Sequence, residues 1–425
     1  MRLSMPYGGD TLEANLDWGR CLGALDIADV PELPVLEAAI ERAIASPIGL
    51  DKDLYALVQP GESVAILVSD AFRHTGVDRI LPGLVDGLNR AGIRDEDLHF
   101  VFATGSHRPP HEDEKARILG HAMYRRFHQQ AFAHDPTDES NLIHLGTTSR
   151  GTPVRINKRV HECDRIVATG AVVLHYFGGY GGGRKSVVPG IAAMDTIAAN
   201  HARNLDPHDD RLNPAVQIGG LDGNPVAEDM LEAARLCHVD YIINTVLNRR
   251  GQIAAVFAGE LDAAHRAAAQ YAYELYAVPI EAQADLVIAS SGSAKNFIQS
   301  HKALFNAYQA VKPDGHIIFA CQAPEGYGGN KFKQWLSLGT KHAIIAELRK
   351  NAEINGQTAL STLEKARIVT FVTELSPEQV AGLGGHKAAS LEDALESVRH
   401  DLAQAGIPDP TYYAMPSASY TVPFV

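Results

Sequence analysis

The sequence has few cysteines, and no two of them are spaced for metal binding. Its 425 residues contain four, Cys21, Cys163, Cys237 and Cys321, without a C-x-x-C pair. This argues against a zinc ribbon, an iron–sulfur cluster and a disulfide framework. No apolar run approaches the roughly 18 residues that a membrane-spanning helix needs, and the N-terminus lacks the apolar stretch of a signal peptide. We therefore expect a cytoplasmic protein with reduced thiols and no membrane partner.

The sequence also lacks a basic tract that would follow a phosphate backbone. The formal net charge is −13, so nucleic acid is not expected as a partner. A hydrophobic content of 45% with 21% charged residues is typical of a globular protein. On this acidic background, a local cluster of Arg and Lys indicates a site for a small anion.

Strands that lead into polar loops and then into helical patterns predict the α/β class, with a mostly parallel sheet. Apolar runs over residues 63–68 and 98–103 read as buried strands, and helical patterns follow them. We predict a larger N-terminal α/β domain over 1–272 and a smaller α/β domain over 273–407. The tail, 408–425, is predicted to join the first domain, and the site is expected in the cleft between the domains.

Residues 175–201 hold the densest group of residues suited to ligand chemistry. An apolar run over 166–174 predicts a buried strand that ends at His175, where α/β sheets present functional loops. Five glycines between 178 and 183 precede Arg184, Lys185 and Ser186. Glycine lets a ligand approach the backbone closely, and the basic residues indicate an anion. The segment fits neither the nucleoside-triphosphate loop nor the dinucleotide fingerprint, and a flexible surface loop is the simpler alternative.

The run HYFGGYGGGRKS from His175, with Pro-Gly at 189–190 and His201 beyond it, resembles the signature of the lactate racemase family. That family uses a nickel-pincer nucleotide, in which a pyridinium-3-thioamide-5-thiocarboxylic acid mononucleotide holds nickel. The resemblance implies that Lys185 is the covalent anchor of the cofactor, through a thioamide, and that His201 ligates nickel. It also implies that His175 is a catalytic base. The remaining residues that it assigns to cofactor binding are Gly182, Gly183, Arg184 and Ser186.

Three positions in this segment depart mildly from the family pattern. Gly178, Tyr180 and Gly181 stand where Ala, Phe and Ser are usual. Each change keeps a small or an aromatic residue, so the resemblance is little affected.

Two polar loops at predicted strand ends carry further motifs of the same family. Ser69-Asp70-x-x-Arg73 follows one strand, and Gly105-Ser106-His107-Arg108-Pro109 follows the next. The resemblance implies that His107 is a second catalytic base and that Asp70 and Arg73 lie at the substrate or cofactor pocket. Phe72 stands where the family has Thr. The alternatives are a structural loop histidine and a local ion pair or helix cap.

A fourth motif lies in the smaller predicted domain. Gln299 and Lys302 are three residues apart, so they share a helix face and suit a carboxylate. In the family a Gln-x-x-Lys pair binds the substrate in this way. Ile298 stands where lactate enzymes carry Tyr, and no Trp occurs near 350–365. The pocket is therefore open to a 2-hydroxy acid that is larger or more polar than lactate.

Inversion of a carbon that bears OH, H and COO⁻ is difficult because its C–H bond is weakly acidic, and no side chain accepts a hydride. As the resemblance implies, the protein is a racemase or epimerase that moves the hydride to and from the cofactor while two histidines move protons. Its partners would be a 2-hydroxy acid and the enzymes that assemble the cofactor. The alternatives are a zinc-dependent hydrolase or lyase that uses His107, His175 and His201, and a non-catalytic nucleotide-binding protein.

Overall fold

A computed structural model describes the chain from Met1 to Val425 and contains twenty strands and fifteen α-helices. The strands are β1 Arg2–Tyr7, β2 Asp10–Asn15, β3 Arg20–Ala24, β4 Val64–Ser69, β5 Leu98–Ala103, β6 Ala131–Ala133, β7 Leu142–Thr147, β8 Pro153–Asn157, β9 Arg165–Ala171, β10 Leu174–His175, β11 Gly179–Tyr180, β12 Tyr241–Leu247, β13 Ile253–Gly259, β14 Ala277–Pro279, β15 Ala284–Ser290, β16 Val311–Ala320, β17 Val369–Val372, β18 His386–Ala388, β19 Thr411–Met415 and β20 Val422–Phe424. The helices are α1 Leu36–Ala45, α2 Leu54–Leu57, α3 Val77–Arg90, α4 Glu112–Leu119, α5 His121–Phe127, α6 Lys158–His161, α7 Met194–His201, α8 Pro225–Leu236, α9 Ala263–Tyr276, α10 Phe297–Gln309, α11 Asn330–Leu336, α12 Lys341–Leu348, α13 Ile354–Lys365, α14 Pro377–Leu383 and α15 Leu391–Gln404. None of these helices is long and apolar enough to span a bilayer.

The chain divides into two compact units. The first comprises residues 29–207 and 213–274, and the second comprises residues 1–28, 208–212 and 275–425. This division differs from the predicted one, because both chain ends belong to the second unit. The physical reason is strand pairing: β19 pairs with β15, and β3 pairs with β19. The two terminal segments therefore complete the edge of the second unit's sheet.

The first unit is built on a six-stranded sheet in the order β13-β12-β9-β4-β5-β6. All neighbours are parallel except the hairpin of β12 and β13. Side chains of β4 alternate between two cores, as expected for a strand covered on both faces. Val64, Ile66 and Val68 pack with α1 and α3, whereas Ala65 and Leu67 pack with α6 and α8. The predicted α/β class is confirmed.

The carboxyl ends of β4, β5 and β9 lie at one edge of this sheet, because the three strands are adjacent and parallel. The predicted strand over 166–174 is shorter in the structure, since β9 ends at Ala171, the last residue that faces β12. Leu174 and His175 form β10, which pairs antiparallel with β11. The N–H of Gly181 donates to the carbonyl of Val173 at 2.8 Å, which draws the chain into this hairpin.

The second unit contains a parallel sheet in the order β18-β17-β16-β15-β19-β3. The β1–β2 hairpin and α15 pack on one core of this sheet. Helix α10 begins at Phe297, and the side chain of Asn296 caps it by accepting from the N–H of Gln299 at 3.1 Å. Gln299 and Lys302 therefore lie on one helix, as predicted.

Candidate active site

Asp70 and His107 come together from the ends of two neighbouring strands, β4 and β5. Nδ1 of His107 lies 2.5 Å from Oδ2 of Asp70, and the Asp70 side chain is 3% exposed. Burial alone would raise the pKa of Asp70, but the hydrogen bond from His107 and the positive charge of Arg73 outweigh it, so the pKa is lowered. Asp70 is therefore a carboxylate that holds the proton of His107 on Nδ1.

This arrangement fixes the chemistry of the His107 ring. A carboxylate only accepts hydrogen bonds, so the Nδ1 proton points to Asp70 and Nε2 keeps its lone pair in the neutral ring. The His107 side chain is 38% exposed. The Phe72 ring packs edge-on against it, with centroids 5.0 Å apart. Asp70 and Phe72 thus hold an accessible base in one orientation.

His175 and Lys185 form a second pair, within the glycine-rich segment. Nε2 of His175 lies 3.1 Å from Nζ of Lys185. On the other side of the ring, Nδ1 accepts from the N–H groups of Phe177 and Gly178, at 3.1 and 3.4 Å. The β10–β11 hairpin therefore wraps its own backbone round the His175 ring and turns it towards Lys185.

The loop that carries Lys185 is fixed to the sheet by its backbone and by Ser186. The N–H of Gly183 donates to Oδ1 of Asn244 at 3.0 Å, and Oγ of Ser186 donates to the carbonyl of Thr169 at 3.0 Å. Gly182 and Gly183 have φ of +70° and +50°, and a Cβ on Gly183 would lie 2.5 Å from the His265 ring. Glycine is thus required here by backbone conformation and close packing, and the cofactor-binding roles of Gly182, Gly183 and Ser186 stay predictions.

Arg184 is turned into the protein, with its side chain only 2% exposed. One of its terminal nitrogens donates to Oδ1 of Asp262 at 2.8 Å and lies 3.1 Å from Nδ1 of His265, and the other donates to the carbonyl of Ala227 at 3.4 Å. Burial lowers the pKa of Arg184 to about 10, although Asp262 opposes this. These contacts favour a structural role, and the predicted binding of the cofactor by this side chain has no support from them.

His201, the last residue of α7, has the properties of a metal ligand. Its Nδ1 lies 2.8 Å from the carbonyl oxygen of Ile197, which only accepts, so Nδ1 carries the proton and Nε2 the lone pair. Burial is the main cause that lowers the pKa of His201 to about 4. The ring is therefore neutral near pH 7, the state in which imidazole binds a metal.

Asp229 orders the neighbourhood of His201, and sequence reasoning missed it. This fully buried carboxylate accepts from Thr148 at 2.6 Å, from Thr152 at 2.8 Å and from Asn200 at 2.9 Å. Asn200 precedes His201 on α7, so the network holds the helix end in place. The three donors lie 29 to 81 residues from Asp229 in the chain, and no local pattern links them to it.

The remaining predicted site residues are Arg73 in the first unit and Gln299 and Lys302 in the second. Arg73 is exposed in the loop after β4, where its charge acts on Asp70. In the second unit Gln299 is exposed and Lys302 is half-buried. Oε1 of Gln299 accepts from the N–H of Lys295 at 3.1 Å. Their roles in substrate binding stay predictions.

No group of three or more His, Cys, Asp or Glu side chains is arranged to hold a metal ion. The zinc-dependent alternative requires His107, His175 and His201 as a joint ligand set. Instead, Nδ1 of His107 is engaged by Asp70, and both nitrogens of His175 are engaged by its hairpin and Lys185. His107 and His201 each keep a lone pair on Nε2, but the three histidines do not form a joint ligand set.

Three buried histidines make stability depend on pH. Burial lowers the pKa of His201 to about 4 and that of His265 and His301 to about 3. Below about pH 6.5 the unfolded chain binds protons that the folded chain does not, so the free energy of unfolding should fall as the pH drops towards about 4. Each histidine adds up to about 1.4 kcal/mol per pH unit to the slope of the free energy of unfolding against pH. Urea denaturation at several pH values measures this slope.

The matched variants for this prediction are His265→Gln and His342→Gln. The His342 side chain is 83% exposed, so its replacement should leave the pH slope unchanged. His265→Gln should flatten the slope, whatever it does to stability near pH 7. Equal slopes in the two variants would contradict the prediction that the buried His265 has a lowered pKa in the folded protein.

Two family models match most of the chain. Residues 7–212 match the lactate racemase N-terminal domain, and residues 280–407 match the lactate racemase C-terminal domain. The lactate racemase of Thermoanaerobacterium thermosaccharolyticum is 32% identical over 338 residues, covering 78% of this chain and 77% of the relative. The lactate racemase of Lactiplantibacillus plantarum is 32% identical over 336 residues, with the same coverage of 78% and 77%.

The fold is similar to that of two solved structures. The lactate racemase apoprotein of T. thermosaccharolyticum superposes with a TM-score of 0.88 at 27% identity, over 100% of both chains. A protein from Thermotoga maritima superposes with a TM-score of 0.66 at 15% identity, over 93% of this chain and 99% of the other. The second likeness concerns the fold alone.

Proposed function

The chain belongs to the lactate racemase family, and from this premise we propose that it racemises or epimerises a 2-hydroxy acid with a lysine-tethered nickel-pincer nucleotide. It is an isomerase. The substrate is lactate or a larger or more polar 2-hydroxy acid, and the location is the cytoplasm. We propose that separate enzymes assemble the cofactor and that the chain supplies its anchor and one nickel ligand.

The observation that carries the proposal is the pair of Asp70 and His107. Asp70 fixes the proton of His107 on Nδ1, so Nε2 is ready to take the proton of a substrate hydroxyl. A carboxylate that orients a histidine in this way also stabilises the imidazolium that forms. We propose His175, which ends the short strand β10 after β9, as the second acid/base.

The chain fits the proposed cofactor. Lys185 presents a half-buried amine on a loop that the sheet holds rigidly, and His201 presents a neutral ring with its lone pair on Nε2. We propose Lys185 as the anchor and His201 as the nickel ligand, since nickel suits imidazole and sulfur donors. When bound, the group would accept and return the hydride, which no side chain can do.

The substrate carboxylate needs cations, and Arg73 and Lys302 are the proposed groups, with Gln299 as a hydrogen-bond donor. The reason to look beyond lactate is the loss of two aromatic side chains. Ile298 stands where lactate enzymes carry Tyr, and no Trp occurs near 350–365. We therefore include 2-hydroxy acids that are larger or more polar than lactate among the proposed substrates.

The proposal predicts a nickel-bearing adduct on Lys185 in protein purified from its native host. Intact mass, peptide mapping around Lys185 and metal analysis would measure it, with one nickel per chain expected. Protein from a host that lacks the assembly enzymes is the control and should be unmodified. Unmodified Lys185 with stoichiometric zinc in the native protein would contradict the proposal and favour a hydrolase or lyase. Unmodified Lys185 without metal, and no turnover after the cofactor is supplied, would favour a non-catalytic nucleotide-binding protein.

A further inference from the structure

We propose that His175 keeps Lys185 as an uncharged amine in the cofactor-free protein, so that the glycine-rich loop prepares its own lysine for covalent attachment. The inference rests on the proposed function, because it concerns the lysine to which the group would be joined. It gives His175 a role that precedes catalysis.

The first step is the proton position on His175. Nδ1 accepts hydrogen bonds from the backbone N–H groups of Phe177 and Gly178, at 3.1 and 3.4 Å. A backbone N–H only donates, so Nδ1 must present its lone pair, and the proton of the neutral ring is on Nε2. The hairpin register, with His175 opposite Gly179, places these amides next to the ring.

The second step is the partner of that proton. Nε2 lies 3.1 Å from Nζ of Lys185. A lysine ammonium has three donors and no acceptor, so an ammonium here would set two donors against each other. The uncharged amine has a lone pair that accepts from Nε2–H. The other tautomer of His175 would let an ammonium donate, but it would abolish both backbone hydrogen bonds. The contact therefore favours the amine.

The position of Lys185 is as well defined as that of the ring. Its N–H donates to the carbonyl of Gly182 at 3.0 Å, and its carbonyl accepts from Gly190 at 3.1 Å. A Cβ on Gly178 would lie 3.6 Å from Cδ of Lys185, so the hairpin runs along the lysine side chain. These contacts hold the backbone and the side-chain stem of Lys185 next to the His175 hairpin.

Two titratable side chains near Lys185, those of His201 and Arg184, are compatible with an uncharged amine. Burial lowers the pKa of His201, on α7, to about 4, so this ring is neutral near pH 7. The guanidinium of the adjacent Arg184 is directed to Asp262 and His265. Neither side chain brings a negative charge that would favour an ammonium at Lys185.

The chemistry of attachment requires this state. The lone pair of Nζ forms a C–N bond to a thiocarboxyl carbon, the bond from that carbon to its oxygen breaks while the sulfur stays, and the nitrogen passes one proton to the oxygen, which leaves as water or as the acid of its activating group. No oxidation or reduction occurs. The nitrogen of the product is a thioamide N–H, which no longer accepts from Nε2–H. Attachment thus releases His175 for its acid/base role.

The test is competitive acetylation of the cofactor-free full chain, made in a host without the assembly enzymes. Trace acetic anhydride labels uncharged amines, and peptide mapping compares Lys185 with Lys350, whose side chain is 73% exposed, in the same sample. We expect labelling of Lys185 to reach half its plateau at a lower pH than labelling of Lys350. His175→Leu should reduce Lys185 labelling near pH 7 by about tenfold, since one pKa unit changes the uncharged fraction tenfold.

His175→Gln is the conservative variant. Its amide N–H can replace Nε2–H, so it should restore most of the Lys185 labelling, while Lys350 labels equally in all three proteins. Should His175→Leu fail to fold, the pH profile of the unaltered chain decides alone. A Lys185 profile at or above the pH of Lys350, or equal labelling with and without His175, overturns the inference. Labelling needs no cofactor, so an adduct on Lys185 in the native host together with ordinary reactivity would overturn this inference and leave the proposed function standing.

Discussion

Replacing His107 with glutamine is expected to lower the kcat of the cofactor-loaded enzyme by roughly 10²- to 10⁴-fold, the usual contribution of a positioned acid/base. Glutamine keeps a polar side chain of similar reach but has no basic nitrogen. The Asp70 carboxylate, which lies 2.5 Å from His107, would still be present. Racemisation of an enantiopure 2-hydroxy acid, followed by chiral chromatography, measures kcat, and intact mass verifies that Lys185 remains loaded.

The matched control is His128→Gln, which alters an exposed histidine of the same unit and should leave kcat unchanged. Asp70→Asn tests the orienting carboxylate. It should lower kcat with little change in KM, because the amide no longer fixes the proton on Nδ1 or stabilises the imidazolium. A loaded His107→Gln enzyme that keeps kcat within about twofold would place the hydroxyl base elsewhere.

The sequence was sufficient to predict the fold class and the convergence of the loops. The apolar runs of β4 and β5 identify these strands from local composition alone. Because the two strands are adjacent and parallel, their carboxyl ends lie at the same edge of the sheet. Asp70 and His107 follow those strands directly. Their proximity is therefore a consequence of topology, although their hydrogen bond had to be observed.

The direction of Arg184 was beyond sequence reasoning. Arg184, Lys185 and Ser186 stand side by side, and nothing in their spacing says which side chain turns inward. Two partners of Arg184 are Asp262, which directly precedes α9, and His265 in its first turn, and they lie 78 and 81 residues further along the chain. The sheet that the terminal strands join could not be predicted from the sequence either. The residue pattern of β3 or β19 predicts a strand but does not identify its partner strand.

Replacing Asp262 with asparagine is expected to lower the free energy of unfolding by about 3–5 kcal/mol, the usual cost of removing one partner of a buried ion pair. Arg184 is 2% exposed, its bond to Asp262 is 2.8 Å long, and its Nε has no hydrogen-bond partner. Without the carboxylate, the guanidinium would remain buried with its charge uncompensated. Chemical denaturation of the cofactor-free chain measures the loss.

Asp222→Asn is the control, because Asp222 and Asp262 both pair with Arg266, but the Asp222 side chain is 79% exposed. It should cost no more than about 1 kcal/mol. The difference between the variants then reports mainly the pairing with Arg184, because the other partner of Asp262, Arg235, is 61% exposed and 3.8 Å away. Arg184→Met in the Asp262→Asn background should then recover much of the loss, since it removes the buried charge. A double variant no more stable than Asp262→Asn would mean that Arg184 does not carry an uncompensated buried charge in the Asp262→Asn protein. That result would favour the predicted role of Arg184 as an anion ligand beside Lys185.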